Sequence, residues 1–228
     1  MKNFIDKIFF KKDNLENISK KIKNLSSTPQ LKQIFDLITS YSETSEIRLV
    51  GGCIRKILNN EEVDDIDLAT NLEPNEVSEV LMKNQIDYYE TGIKHGTITA
   101  IIDDKKFEIT SLREDVLTDG RHAQIKFSKD WRNDALRRDF TINSIYSDRE
   151  GNIFDPFSGK EDLENGYLKF IGDGDKRIKE DYLRILRYLR FFISYSKHKH
   201  NPETIRIIKK NIDGISQLSK ERLLDELK

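Results

Sequence analysis

Asp65 and Asp67 are two carboxylates separated by one residue in DDIDLAT. On an extended segment, positions i and i+2 face the same side, so both acids converge on one point. Converging carboxylates repel unless a cation sits between them. Hard divalent ions, Mg²⁺ above all, suit such a pair when substrate phosphates complete the coordination. The chemistry that follows is two-metal phosphoryl or nucleotidyl transfer. Taken alone, D-x-D is most often a solvated surface turn. Here Ile66 and Leu68 flank it, and Gly51-Gly52 lies just upstream, where backbone can be approached closely. Arg55 follows at the start of an expected helix, a favourable place for an anion. Glu108, among apolar neighbours in KFEITSLR, is the expected third carboxylate.

Two further clusters could handle a nucleotide. In Arg137-Arg138-Asp139, an arginine can fork onto phosphate oxygens and an aspartate can accept from a ribose hydroxyl. Ordinary ion pairs on a helix surface explain the same residues equally well. In EDYLRILRYLR, Asp181, Arg184, Arg187 and Arg190 recur every third residue. An acceptor and a donor one turn apart match the Watson–Crick edge shared by cytosine and adenine, an exocyclic amine beside a bare ring nitrogen. Uracil and guanine present the reverse pattern. Arg187 and Arg190 would extend toward phosphates; taken without the D-x-D pair, the same stripe reads first as an amphipathic helix with i,i+3 ion pairs.

These residues need elements to hold them. The expected order is a mostly helical 1–45, with one helix started by Thr28-Pro29, then a strand over Ile47 to Val50, a helix from Gly52 to Leu58, and a strand from Asp64 to Leu68. A helix opened by Pro74 follows, then strands within 92–102 and over Phe107 to Leu112. Residues 113–130 read as a mobile polar loop. One helix is expected through DWRNDALRRDFTINSIYSD with Asp130 as N-cap, and another from Asp175 to about Tyr195. The apolar stripe of that last helix is Ile178, Leu183, Leu186, Leu189 and Phe192. A final helical region starts near Pro202 and is interrupted at Gly214. The fold class is therefore α+β: a small mixed sheet with helices on one face, then an all-helical part.

The chain has 228 residues, a net charge of −1 and 35% charged residues. That balance neither demands nor excludes nucleic acid. Locally, residues 184–210 hold eight Lys/Arg against Glu203 alone, and residues 1–24 hold seven lysines, a pattern expected of an RNA-contacting surface. The single cysteine, Cys53, rules out an intrachain disulfide and fits a reducing compartment. No signal peptide or membrane span is legible, so cytoplasm is the expected location. The four histidines have no zinc-like spacing with Cys53.

LVGGCIRK…DDIDLAT, FEITSLREDVLTDGRHA, DWRNDALRRDFTINSIY, DPFSGKEDL and RIKEDYLRILRYLRF occur in this order. Over residues 45–228 the chain resembles the bacterial class II tRNA nucleotidyltransferases and poly(A) polymerases, within the polymerase-β-like nucleotidyltransferase superfamily. The resemblance implies a catalytic head over 1–147, with 1–27 as a basic helical extension, and a nucleotide-selecting helical neck over 148–228. It implies that Asp65 and Asp67 bind Mg²⁺, that Gly51, Gly52 and Arg55 hold the incoming triphosphate, and that Arg138 and Asp139 touch phosphate and ribose. It further implies that Asp181 and Arg184 select CTP or ATP, with Arg187 and Arg190 beside them, and that 113–130 is the element involved in switching from C to A addition. The implied activity is addition of CMP and AMP to the tRNA 3′ end. CC-only, A-only and poly(A) addition share the same motifs. A different class of reading is an RNA-binding remnant or subunit. Two departures stand out. Lys56 occupies a position where an acid is common, and the chain ends at SKERLLDELK, where relatives continue into body and tail domains. Two expectations stand side by side: the sequence is a fragment of a longer chain, or those domains are absent and a homo-oligomer or a partner chain supplies them.

Overall fold

Strands with one apolar residue in two set up the first half of the molecule. The computed structural model describes residues 16–118 and 123–227. These form two compact units, one holding the described residues up to Leu112 together with Ile145–Phe154, the other Arg113–Ser144 and 155 onward.

In the first unit, α1 over 16–26 and α2 (Pro29–Thr39) precede β1 (Ile47–Val50), α3 (Gly52–Leu58), β2 (Asp67–Thr70) and α4 (Pro74–Lys83). Then come β3 (Asp87–Gly92), a short 3₁₀ turn, β4 (Thr97–Ile102) and β5 (Lys105–Ser111). Pro29 and Pro74 sit at helix starts as expected, where a missing N–H costs nothing. Glu73 and Glu76 close a capping box around α4. The sheet order is β3-β4-β5-β2-β1-β8-β9, where β8 is Tyr146–Ser147 and β9 is Ile153–Phe154. Only β2 and β5 run parallel among the paired strands of this sheet; the others pair antiparallel. Ile47, Leu49, Leu68, Ile98, Ala100, Phe107 and Ile109 point into one core shared with Leu31, Ile34, Phe35, Cys53, Ile54, Val77 and Leu81 of the helices. The mixed sheet with its helical layer is the expected α+β arrangement.

Several expectations need correction. β2 begins at Asp67, so Asp65 lies in the irregular stretch before it rather than on the strand. β3 was not expected; it is an edge strand, DYYETG, with too few apolar residues to announce itself. The described part of the basic extension is not idle, because Ile18 and Ile22 of α1 are buried in the core; residues 1–15 lie outside the described residues. The sheet also continues past residue 147, since β9 pairs with β8 and β8 with β1.

In the second unit, the expected loop at 113–130 is a hairpin of β6 (Arg113–Thr118) and β7 (Ala123–Phe127), with 119–122 outside the described residues. The expected long helix through 130–148 is only α5 (Trp131–Leu136), capped by Asp130, whose side chain accepts from the N–H groups of Arg132 and Asn133. Arg138 and Asp139 therefore follow the helix instead of lying on it. After α6 (Gly159–Asn165), the expected helix at 175–195 is two: α7 (Gly174–Glu180) and α8 (Leu183–Tyr195). The break has a local cause. Asp181 is extended, and its carboxylate accepts the Leu183 N–H at 3.1 Å, competing with helix continuation. The buried stripe is Ile178, Ile185, Tyr188 and Phe191, not the leucine-based one; Leu189 is exposed. α9 (Pro202–Asn211) and α10 (Lys220–Leu227) complete the unit, separated by a 3₁₀ stretch over Ile212–Gln217. Gly214 lies there because Tyr182 covers it; a Cβ would meet the ring at 2.2 Å.

Ile22 is fully buried. Ile22→Ala should lower stability by about 2–5 kcal/mol, read as a lower urea midpoint. An unchanged midpoint would mean that α1 contributes nothing to the core.

Candidate active site

The parallel register of β2 and β5 places Asp67 directly beside Glu108, and Leu68 beside Ile109. Leu68 and Ile109 face the core, so Asp67 and Glu108 share the opposite face. Asp65, two residues ahead of Asp67, is exposed. The Glu108 carboxyl is held above the ordinary glutamate range, first by burial and then by the charges of Asp67 and Asp65. The three acids thus sense one another. Among the described residues, no three side chains from His, Cys, Asp and Glu stand close enough to hold a metal ion by themselves. The arrangement is an open acidic face, not a cage. A hard divalent cation held by one or two carboxylates, with water and substrate phosphates completing the coordination, fits such a face.

The glycine turn adjoins this face. Gly51 has φ +67° and ψ −117°, a conformation closed to other residues, and its N–H donates to the Ile145 carbonyl at 3.1 Å. Gly52 opens α3, and a Cβ there would stand 3.7 Å from Asp67 Oδ2. Cys53 is buried and donates to the Val50 carbonyl; burial pushes its thiol up to about 12, so it packs as a small apolar residue. Arg55, expected to face the triphosphate, lies in α3 and is only 7% exposed. Lys56 pairs with Asp64, and Asp64 Oδ1 also accepts the Asp65 N–H at 2.9 Å. The Lys56 hydrogen bond holds the Asp64 carboxyl below its ordinary range. The cation at position 56 is thus answered by an acid at position 64.

The second unit gathers the remaining expected residues into an ion-pair network. Asp139 is buried. Burial alone would raise its carboxyl, but the Arg187 charge, the Asn143 amide and the Phe140 N–H outweigh this and hold it low. Its Oδ2 accepts Arg187 Nε at 2.7 Å, and its Oδ1 accepts Asn143 Nδ2 at 2.9 Å. Arg184 donates to Glu180 Oε2 at 2.7 Å, to the Arg177 carbonyl at 2.8 Å and to the Arg137 carbonyl at 3.1 Å. Asp181 Oδ2 accepts from Arg222 at 2.8 Å. Arg187 and Arg190 both reach Glu226, at 3.4 and 2.7 Å. Arg138 is held by Asp134 at 3.3 Å.

Sequence reasoning missed Asp134, Glu180, Arg222 and Glu226. Asp134–Arg138 and Glu180–Arg184 are i,i+4 pairs and were legible as such. The partners on α10 were not, since 39 residues separate Arg187 from Glu226. Trp131, the first residue of α5, is buried. His198 stacks on Tyr167 and His200 on Phe192, so both pack against rings; His122 lies outside the described residues.

The acidic face predicts a pH dependence. A carboxyl raised in the folded state stabilises fully below its unfolded value, 4.5, and loses that contribution as pH rises through the folded value. In chelator, the wild type should therefore lose stability relative to Glu108→Gln between pH 4.5 and neutrality, and Mg²⁺ should restore the wild type more than the variant. Parallel melting-temperature curves for the two proteins would refute the coupling.

The profile of the poly A polymerase head domain matches residues 47–169. The chain is 45% identical over 204 residues to the mitochondrial CCA tRNA nucleotidyltransferase 1 of Homo sapiens, covering 88% of this chain and 46% of that protein. It is 38% identical over 183 residues to the CCA-adding enzyme of Lactobacillus johnsonii, covering 79% and 45%. The structure of the Bacillus stearothermophilus CCA-adding enzyme in complex with CTP superposes with a TM-score of 0.75 at 28% identity, covering 88% of this chain and 48% of that one. The chain spans about half the length of the relatives it matches.

Proposed function

Because the chain belongs to the poly A polymerase head domain family, we propose that it adds CMP and AMP to the 3′ end of tRNA, completing CCA. The observation that carries the reading is the Asp67–Glu108 face beside Gly52, in a chain so similar to a CCA tRNA nucleotidyltransferase. The tRNA 3′-hydroxyl attacks the α-phosphate of CTP or ATP, a new P–O bond forms, and pyrophosphate leaves. Asp65 and Asp67 would hold Mg²⁺, with Glu108 adding negative charge beside them. Held there, one ion would lower the pKa of the attacking hydroxyl and a second would steady the leaving pyrophosphate.

The chain's own residues supply the rest. In the first unit, Gly51 shapes the turn, while Gly52 and Arg55 hold the triphosphate. In the second unit, Arg138 contacts phosphate and Asp139 the ribose. Asp181 accepts the exocyclic amine of cytosine or adenine, and Arg184 donates to the adjacent ring nitrogen. Arg187 and Arg190 lie beside them and extend toward the phosphates, their guanidiniums oriented by Asp139 and Glu226. The basic stretch 184–210 is the proposed RNA surface. Among the described residues, no helix is long and apolar enough to cross a membrane. The buried lone cysteine favours a reducing compartment, the cytoplasm in this reading, although the human relative is mitochondrial by name.

The test offers the protein tRNA ending before the first C, tRNA ending in CC, and an unrelated RNA, with each nucleotide separately. Two CMP additions followed by one AMP are expected on the first substrate, and one AMP on the second. Stopping after CC, adding only A, or extending the unrelated RNA with A would assign the narrower or poly(A) activities instead. Asp65→Ala and Asp67→Ala should each cut incorporation by about a thousandfold or more while leaving the melting curve intact. Near-normal CMP transfer by Asp65→Ala would sink the metal assignment.

A further inference from the structure

Asp134 has no role in the scheme above, yet its side chain is only 1% exposed and accepts from Arg113, Arg137 and Arg138. It sits one turn into α5, where the Asp130 cap has already fixed the helix start. Its Oδ1 accepts Arg137 Nε and Nη2, each at 2.8 Å, and the N–H of Arg113, the first residue of β6, at 3.3 Å. Its Oδ2 accepts Arg138 Nε and Nη2, each at 3.3 Å. Both guanidiniums lie at or just past the end of α5, so the i,i+3 and i,i+4 spacings bring them back over the same carboxylate. A second tie, from Asn133 Nδ2 to Glu114 at 2.8 Å, fastens the same helix to β6.

A guanidinium recognises phosphate through a planar fork, so the orientation of the plane decides how well it binds. Two contacts from the Nε–Nη2 edge to one oxygen of Asp134, with Nη1 donating to the Asn143 carbonyl at 3.5 Å, set that plane for Arg138. A buried carboxylate that only stabilised the helix would be an expensive way to do so, because removing it from water costs several hydrogen bonds' worth of solvation. We infer that Asp134 is a positioning residue for nucleotide binding: it fixes the fork of Arg138, with Arg137 alongside, for a triphosphate. The inference rests on the reading of Arg138 as a phosphate contact.

The experiment measures, on the full chain with Mg²⁺, binding of CTP, ATP and inorganic tripolyphosphate by calorimetry. Asp134→Asn keeps the shape and loses the charge. It should weaken all three ligands by a similar factor, about tenfold, and leave the CTP-to-ATP ratio unchanged, because phosphate is what they share. Asp134→Glu keeps the buried charge but moves it by one methylene; it should fold and show a smaller loss for the same three ligands. A folded variant of either kind with wild-type affinity overturns the inference. So does a loss confined to the nucleotides that spares tripolyphosphate. If neither variant folds, Asp134 is a scaffold residue and the assignment falls as well. A wild-type chain that binds none of the three ligands would instead strike the proposed function.

Discussion

Parallel pairing of β2 with β5 is the constraint on which the acidic face depends. In a parallel pair the side chains of neighbouring residues point the same way, so two strands that bury Leu68 and Ile109 must also set Asp67 and Glu108 side by side. The core on one face therefore fixes two carboxylates side by side on the other, and the Glu108 carboxyl is raised, first by its partial burial and then by the charges of Asp67 and Asp65. The same pairing keeps Asp67 next to Gly52, since β2 also pairs with β1, which leads straight into the glycine turn.

The second unit is organised by a different rule. Its arginines are numerous and half-buried, and each expected functional arginine is held by an acid: Arg138 by Asp134, Arg184 by Glu180, Arg187 by Asp139, Arg190 by Glu226. Buried guanidiniums keep their charge at any accessible pH, so their orientation must come from fixed partners rather than from titration. That makes the acids, none of which touches a substrate in the proposed scheme apart from Asp139, as consequential as the arginines they hold.

Much of this was legible in the sequence, for identifiable reasons. Apolar alternation marked β1, β4 and β5, proline placed the starts of α2 and α4, and Asp130 announced its own cap. Asp65 and Asp67 could be paired by spacing alone, but not the start of the strand, because Ile66 and Leu68 flank an extended loop and a strand alike. The hairpin at 113–127 was hidden by its polarity; a two-stranded sheet needs no apolar face of its own to pair its backbone. The break at Asp181 was hidden because the apolar rhythm runs through it, while a single carboxylate redirects the backbone. Contacts of α10 with α8 depend on how the chain returns, which local pattern does not encode.

The pairing of β8 with β1 also bears on biosynthesis. Residues 113–144 leave the first unit and residues 145–154 come back to it, so the sheet's β8–β9 edge is supplied more than thirty residues after β5. On a ribosome the head's core helices and five of its strands can emerge and collapse early, but Gly51 must wait for the Ile145 carbonyl that receives its N–H. The glycine turn is thus among the last parts of its own sheet to be locked. A nascent chain halted before residue 145 would present the acidic strand without the finished turn beside it.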